Sequence, residues 1–366
     1  MDIRLAIRSR CFPAWRRPRR RDSVVSKKFP KWEEVRGWRR VRCRIEQAGL
    51  WLASRLVPLF PWPLLRGIAW FIGGLVFHLD KRGRAYALAN LTMVFGREKS
   101  PQEIRRVAKD SYRQFARTML ELFWVPNLRK ENYRRRVEVE GYEKARDACR
   151  GGKGAIGICL HYGNFEWLSL ASGFEVTQGV IVTQQFRNPL LGVFFDRLRA
   201  ASGHRIIQQE RSLLSTLKHL KSGGSVGILT DLQLDPRHPT VPVKSFGRWC
   251  PMTKMHAVLH QHTGLPILPM ECIPLPDGRY RLVVHDPLQF PADATEREIA
   301  QKCWDVLEPQ VRRHPESWLW AYKHWRYIPP GADAADYPYY ASRNPAFDEL
   351  MKTELATETT SSDTKP

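Results

Sequence analysis

The stretch Gly154–Trp167, GAIGICLHYGNFEW, limits what this chain can fold into more than any other. Gly154–Leu160 is short, apolar and bounded by glycine, which predicts a buried strand. His161-Tyr162-Gly163-Asn164 is a polar turn, and Phe165, Trp167, Leu168 and Leu170 open a helical pattern. Asn164 suits the N-cap, and Glu166 falls in the first turn, where a carboxylate complements the helix dipole. On one ideal helix His161 and Glu166 would sit about 140° apart and could not share a face. With the histidine at a strand end and the glutamate just inside the next helix, the two side chains converge. The expectation is a general base, His161, oriented by Glu166, at the mouth of an α/β sheet.

The rest of the chain alternates strand and helix signals. Ser100-Pro101-Gln102-Glu103 is a capping box with proline at the first helical position. Val137–Leu160 reads strand, helix, glycine turn, strand; Gly151-Gly152-Lys153-Gly154 lacks the spacing of a phosphate loop. Val180–Thr183 and Ser225–Thr230 are strands, the second delivering Asp231 at its tip, with helices through Arg199 and over Leu213–Leu220 between them. Pro251–His262 leads into a helix, Pro266–Ile273 and Tyr280–His285 pair around Pro276-Asp277-Gly278, and Ala294–Arg313 is a helix. This order predicts an α/β fold with a mixed, largely parallel sheet flanked by helices.

The N-terminal third is different. Residues 1–31 are basic, carry Pro13, Pro18 and Pro30, and show no periodicity, so they are expected to be disordered. Trp32, Val35, Trp38, Val41 and Ile45 then recur at helical spacing between arginines, the pattern of a membrane-surface helix. An arginine-dense RNA-binding arm looks similar, but no RNA-binding signature follows. Leu50–Leu79 is the most apolar stretch, interrupted by Arg55, Pro58, Pro61, Pro63 and Arg66. Its clean part, Gly67–Leu79, is shorter than the roughly 20 residues a full span needs, so a full span must take in Arg66, and an interfacial or re-entrant helix pair is physically easier. Lys81, Arg82 and Arg84 follow it, which places the remainder on the cytoplasmic side. The expected organisation is a basic extension (1–48), a membrane-anchoring segment (49–80), a catalytic domain (81–329) and a partly disordered tail (330–366), with Ala356–Pro366 disordered.

A net charge of +22 draws the chain to anionic partners: nucleic acid, an anionic membrane surface or an acidic protein. The seven cysteines are scattered and never spaced C-x2-C, which argues against a disulfide framework or zinc ribbon. His256, His260 and His262 resemble a metal cluster, yet they lack the glutamate of H-E-x-x-H and a third ligand, and read as helix surface. Cys159 shares a strand face with His161. A covalent Cys–His route is set aside in favour of a buried structural cysteine.

HYGNFE resembles the His-x4-Glu box of the lysophospholipid acyltransferase superfamily, and within it the lipid A lauroyl and myristoyl acyltransferases. The likeness extends through Asn90-Leu91, Val139-Glu140-Gly141 with Glu143, Lys153-Gly154, Arg197-Leu198-Arg199, Asp231, Phe246-Gly247 and Pro315-Glu316 with Trp318 and Trp320. It covers roughly Leu50–Tyr327 and leaves residues 1–48 without a counterpart. The chain departs from the pattern at Asp231-Leu232-Gln233 and at Ser245-Phe246-Gly247.

The resemblance implies a glycerol-phosphate acyltransferase-like fold and acyl transfer from a thioester to a hydroxyl of a lipid A precursor, without metal or cofactor. His161 would take the hydroxyl proton, with Glu166 holding its tautomer and the helix N-terminus binding the oxyanion. The candidate substrate-binding residues are Asp231 with one of Arg197 and Arg199, which the resemblance favours, and Asn164 and Arg187, read from the residues themselves, the arginines as forks for phosphates. Trp318 and Trp320 fit either an acyl groove or the core. Implied partners are acyl carrier protein or acyl-CoA, a glycolipid acceptor and an anionic membrane; no nucleic acid is expected. The implied site of action is the inner membrane, catalytic domain on the cytoplasmic side. The rivals are acylation of another glycolipid or a lysophospholipid, and a non-catalytic basic membrane or RNA-binding protein, against which the intact His161/Glu166 pair speaks.

Overall fold

The computed structural model describes residues 32–362 apart from 177–178, 209–211 and 232. The expectation for residues 1–31 lies outside the described residues. Four helices come first: α1 (Gly37–Leu56), α2 (Trp62–Leu79), α3 (Lys81–Phe95) and α4 (Pro101–Phe123). The alternating part follows: β1 (Val137–Glu140), α5 (Tyr142–Ala148), β2 (Ile156–Cys159), α6 (Phe165–Glu175), β3 (Val180–Thr183), α7 (Gly192–Arg199), β4 (Arg205–Gln208), α8 (Ser212–Lys221) and β5 (Val226–Leu229). Then come the β6 (Thr240–Ser245) and β7 (Arg248–Thr253) hairpin, α9 (Met255–Thr263), β8 (Ile267–Pro274), β9 (Tyr280–Val284), α10 (Glu296–Arg313) and α11 (Pro345–Ser362).

Seven strands form the main sheet in the order β1-β9-β8-β2-β5-β3-β4. Every neighbouring pair is parallel except β8–β9. The two faces of the central strands differ. Ile156 and Ile158 of β2, with Val226 and Ile228 of β5, enter the larger core with α9, α10 and the Trp318–Trp325 segment. The alternate residues, Gly157, Cys159 and Gly227, face a cavity on the α6 side.

Three local expectations change. The Thr240–Thr253 region is a two-stranded hairpin turning at Phe246-Gly247, and the helix begins only at Met255. Val241 and Val243 of one strand and Cys250 and Met252 of the other, at the strand period of two, enter the larger core. β4, which carries no strong sequence signal, pairs with β3 at the sheet edge. Finally, α11 extends to Ser362 where a disordered tail was expected, because Phe347 and Met351, one turn apart, are buried against the domain.

The N-terminal helices fold onto this body. The Ser100 capping box is present, with the Ser100 and Glu103 side chains exchanging bonds with each other's backbone N–H. Among the described residues α2 alone is long and apolar enough to cross a membrane. It is nonetheless packed along one side: Leu65, Ala69, Gly73 and Phe77 are buried, most against α4. Leu64, Trp70, Phe71, Leu75 and Leu79 stay exposed on the other side. Arg84 donates to the Phe77 and His78 carbonyls at the end of α2, and Asp80 caps α3 by accepting from the Gly83 N–H.

A Cβ at Gly73 would lie 2.4 Å from the Arg113 Cα, so the α2–α4 contact depends on a missing side chain. Gly73→Leu is expected to force the helices apart and cost on the order of 1–3 kcal/mol in detergent-solubilised unfolding. Gly67→Ala, whose added carbon meets nothing within 4 Å, should be neutral or slightly stabilising. Equal effects of the two would contradict this packing.

Candidate active site

β2 and β5 are neighbours with Cys159 opposite Leu229. His161 and Asp231 therefore lie two residues beyond the same rung, and their side chains meet. His161 Nδ1 is 2.8 Å from Asp231 Oδ1, and the His161 backbone N–H donates to Asp231 Oδ2 at 2.9 Å. Trp318 Nε1 donates to the same Oδ2 at 2.8 Å. The Asp231 carboxylate is thus buried among three donors, which fixes the histidine ring with Nδ1–H toward the acid and leaves Nε2 as the basic nitrogen.

Glu166 is not that orienting group. It sits one residue inside α6, buried, and turns to the end of α7, where Arg199 holds it with Nη2–Oε1 at 2.5 Å and Nε–Oε2 at 3.0 Å. Helical geometry carries its carboxylate away from the ring, while Asp231 arrives on the adjacent strand. Among the described residues its bonded partner is Arg199. Its charge still acts on His161 through space.

Asn164 is the expected N-cap: its Oδ1 accepts from the Trp167 N–H at 3.0 Å. Its Nδ2 donates to Glu121 Oε2 at 2.8 Å, so the amide that was expected to meet substrate is committed at both ends. Arg199 lines the cavity; Arg187 and Arg197 are exposed and do not. Trp318 and Trp320 belong to the core and not to the cavity wall. His256 is buried rather than on a helix surface, held neutral by burial with a pKa of about 4. Among the described residues no group of histidine, cysteine and carboxylate side chains is arranged to hold a metal.

Sequence reasoning passes over Glu121. This fully buried carboxylate accepts from Trp62 Nε1 (3.0 Å), Arg117 Nε (2.9 Å), Asn164 Nδ2 (2.8 Å) and the Tyr280 hydroxyl (2.6 Å). One helical turn earlier, Thr118 donates to the Gly163 carbonyl at 2.8 Å. The turn after His161 is thus suspended from α4. Gly163 has φ +56°, and a Cβ there would strike the Cys272 carbonyl at 1.7 Å. The only signal in the sequence was one acid between Leu120 and Leu122 near the end of an amphipathic helix.

The site opens on a cavity of about 500 Å³ between the sheet and α6. Its lining is mostly apolar, with His161, Glu166 and Arg199 at one end. Burial alone would lower the His161 pKa, but the Asp231 charge and hydrogen bond, helped by Glu166, raise it above the ordinary value. Burial would raise that of Asp231, and the His161 and Trp318 contacts bring it down. Burial, then the Asp231 and Glu166 charges, push the Cys159 thiol far up and keep it protonated.

A strand-end histidine paired to a buried carboxylate, facing an apolar cavity in a largely parallel sheet, defines an acid–base site suited to an apolar substrate. The chain matches the family of bacterial lipid A biosynthesis acyltransferases over residues 43–327 and belongs to it. It is therefore an O-acyltransferase, and the family together with α2 makes it membrane-associated. No curated protein matches the chain.

The His161–Asp231 pair carries a pH signature. The raised histidine pKa contributes stability that is complete below the unfolded value of about 6.5 and is lost as pH rises through the folded value. The depressed Asp231 pKa contributes above about 3.9 and is lost as pH falls through the folded value. Asp231→Asn is thus expected to lower the melting temperature more at about pH 5.5 than at about pH 9. An equal loss at both would show that Asp231 does not hold the imidazolium.

Proposed function

We propose that this protein transfers a fatty acyl chain from an acyl thioester, carried on acyl carrier protein or CoA, to a hydroxyl of a phosphorylated lipid A precursor. The observation that carries the reading is the apolar cavity beginning at His161, with room for an acyl chain and its reactive end beside the base. A hydroxyl is a weak nucleophile at neutral pH, so His161 Nε2 takes its proton as the oxygen attacks the thioester carbonyl. Asp231 holds the ring and stabilises the imidazolium, as the third member of a triad does. The N-terminus of α6, whose first residues Phe165 and Glu166 line the cavity, brings the positive end of its dipole to the oxyanion. On collapse the thiolate leaves and takes the proton from His161. The protonated Cys159 has no part in the transfer.

The Glu166–Arg199 pair forms the wall beside His161 and keeps a guanidinium at the cavity mouth, suited to a phosphate on either substrate. Net charge of +22 favours the acidic carrier protein, the acidic precursor and an anionic bilayer. The basic Lys81, Arg82 and Arg84 after α2 support a catalytic domain on the cytoplasmic side of the inner membrane. The units read from the sequence, 1–48, 49–80, 81–329 and 330–366, remain the working division of the chain.

Purified protein incubated with acyl–acyl carrier protein and a tetra-acylated lipid A precursor should add one acyl mass to the acceptor. His161→Ala should lower the rate by at least about 10²–10⁴. Because the neutral imidazole is the reactive form, kcat/KM should rise with pH through a pKa above about 6.5. In Asp231→Asn the limb should move to lower pH, beneath a reduced plateau. Undiminished activity of His161→Ala would remove the mechanism, and an unaltered acceptor would move the reaction to another glycolipid.

A further inference from the structure

The cavity has a direction. Its wall on the sheet side is built from the alternate residues of β2 and β5, and beyond the Cys159–Leu229 rung these are small. Gly157 lies opposite Gly227, and the Ser225 hydroxyl accepts from the Ala155 N–H at 3.0 Å one step further from His161. Gly227 lies mid-strand in the centre of the sheet, where side chains are ordinarily covered, yet it is exposed because it faces this space. A Cβ on it would meet nothing within 4 Å, and its φ is outside the left-handed region. At Gly157 the added carbon would come within 3.1 Å of Met270 Sδ, so that position already has a wall. The distal end is lined by Ala145, Cys149 and Ser225, with Cys149 Sγ 3.6 Å from Ser225 Oγ.

We infer that the chain measures its acyl donor along this cavity, with Gly227 as the midpoint of the measure and Cys149 and Ser225 as its end. This rests on the reading of the cavity as an acyl site and adds the residues that set length. Strand geometry gives the distances. Gly157 and its partner Gly227 are four strand residues from His161, about 13 Å; Ala155 and Ser225 are six, about 20 Å. An extended hydrocarbon advances about 1.25 Å per carbon, given its bond length of about 1.5 Å. The midpoint therefore corresponds to about ten carbons and the end to about sixteen. Each methylene that finds apolar space adds roughly fourfold to binding, and one that meets a side chain gains nothing. Selectivity should climb to the length that fills the cavity and then fall.

The two positions make an ordered test. Wild type, Gly227→Ala, Gly227→Leu and Cys149→Phe would each be profiled for thermal stabilisation by saturated acyl-CoAs of eight to eighteen carbons, in detergent. The same proteins would be assayed for transfer with matching acyl thioesters. Wild type should gain stability up to about sixteen carbons. Gly227→Leu should lower the rate ratio of sixteen- to ten-carbon donors at least about tenfold, with Gly227→Ala between it and wild type. Cys149→Phe should remove only the longest chains. Folding is checked by each variant's ligand-free melting temperature, and Gly227→Ala keeps the test available if the leucine variant does not fold. A wild type whose stability is indifferent to chain length would overturn the acyl reading of the cavity and this inference with it. Length-dependent wild type with unchanged profiles in the Gly227 variants, or a Cys149→Phe cut shorter than that of Gly227→Leu, would overturn the measure alone.

Discussion

The site depends on one buried carboxylate. Asp231 is 2% exposed and accepts from the His161 backbone, the His161 ring and the Trp318 indole. An unpaired charge in that position would cost several kcal/mol, and the three donors offset that cost. Donors and acid together come from three parts of the chain. The histidine ends β2, the acid follows β5, and the indole comes from the Trp318–Trp325 segment after α10. Behind it, His324 stacks on the Trp318 ring at 4.2 Å and is kept neutral by burial, with a pKa of about 4, so no second positive charge competes for the acid. The same segment is tied to α3, where Asn90 donates to the Trp320 and Tyr322 carbonyls at 2.9 Å.

Glu121 repeats this logic on the other side of the catalytic turn. Its four donors come from α2, α4, the α6 cap and β9, so the apolar helix α2 and the turn after His161 share one buried acid. Trp62, at the start of the apolar helix, is part of the same network that holds Asn164. Seating of α2 and placement of the α6 N-terminus are therefore one structural event. The outer face of α2 stays exposed and apolar, and its first residue, Trp62, shares Glu121 with the capping residue of the catalytic helix.

The two faces of the sheet serve different ends. One carries isoleucine and valine into the core, and the other carries glycines and a cysteine into open space. Glycine in a central strand costs stability, because it has nothing to pack and loses more entropy on folding. Here the cost falls where a cavity must be kept, and the α6 residues Leu168 and Ser172 form its opposite wall.

Much of this was determined locally and was legible along the chain. The strand ending at His161, the Asn164 cap, the Glu166 first turn, the Ser100 box and the strands Val180–Thr183 and Tyr280–Val284 all follow from near-neighbour physics. The hairpin at Phe246-Gly247 was less legible, because prolines at 242 and 251 obscure the period of two. What the sequence by itself left open was who meets whom. Glu166 is five residues from His161 yet bonds Arg199, while Asp231, seventy residues away, holds the ring at 2.8 Å. That choice is made by strand order: β5 lies beside β2, and the register sets 161 and 231 level. Glu121 and the glycine-lined cavity were hidden for the same reason. A buried acid declares itself through its donors and a cavity through its opposite wall, and both come from elements the chain brings together only on folding.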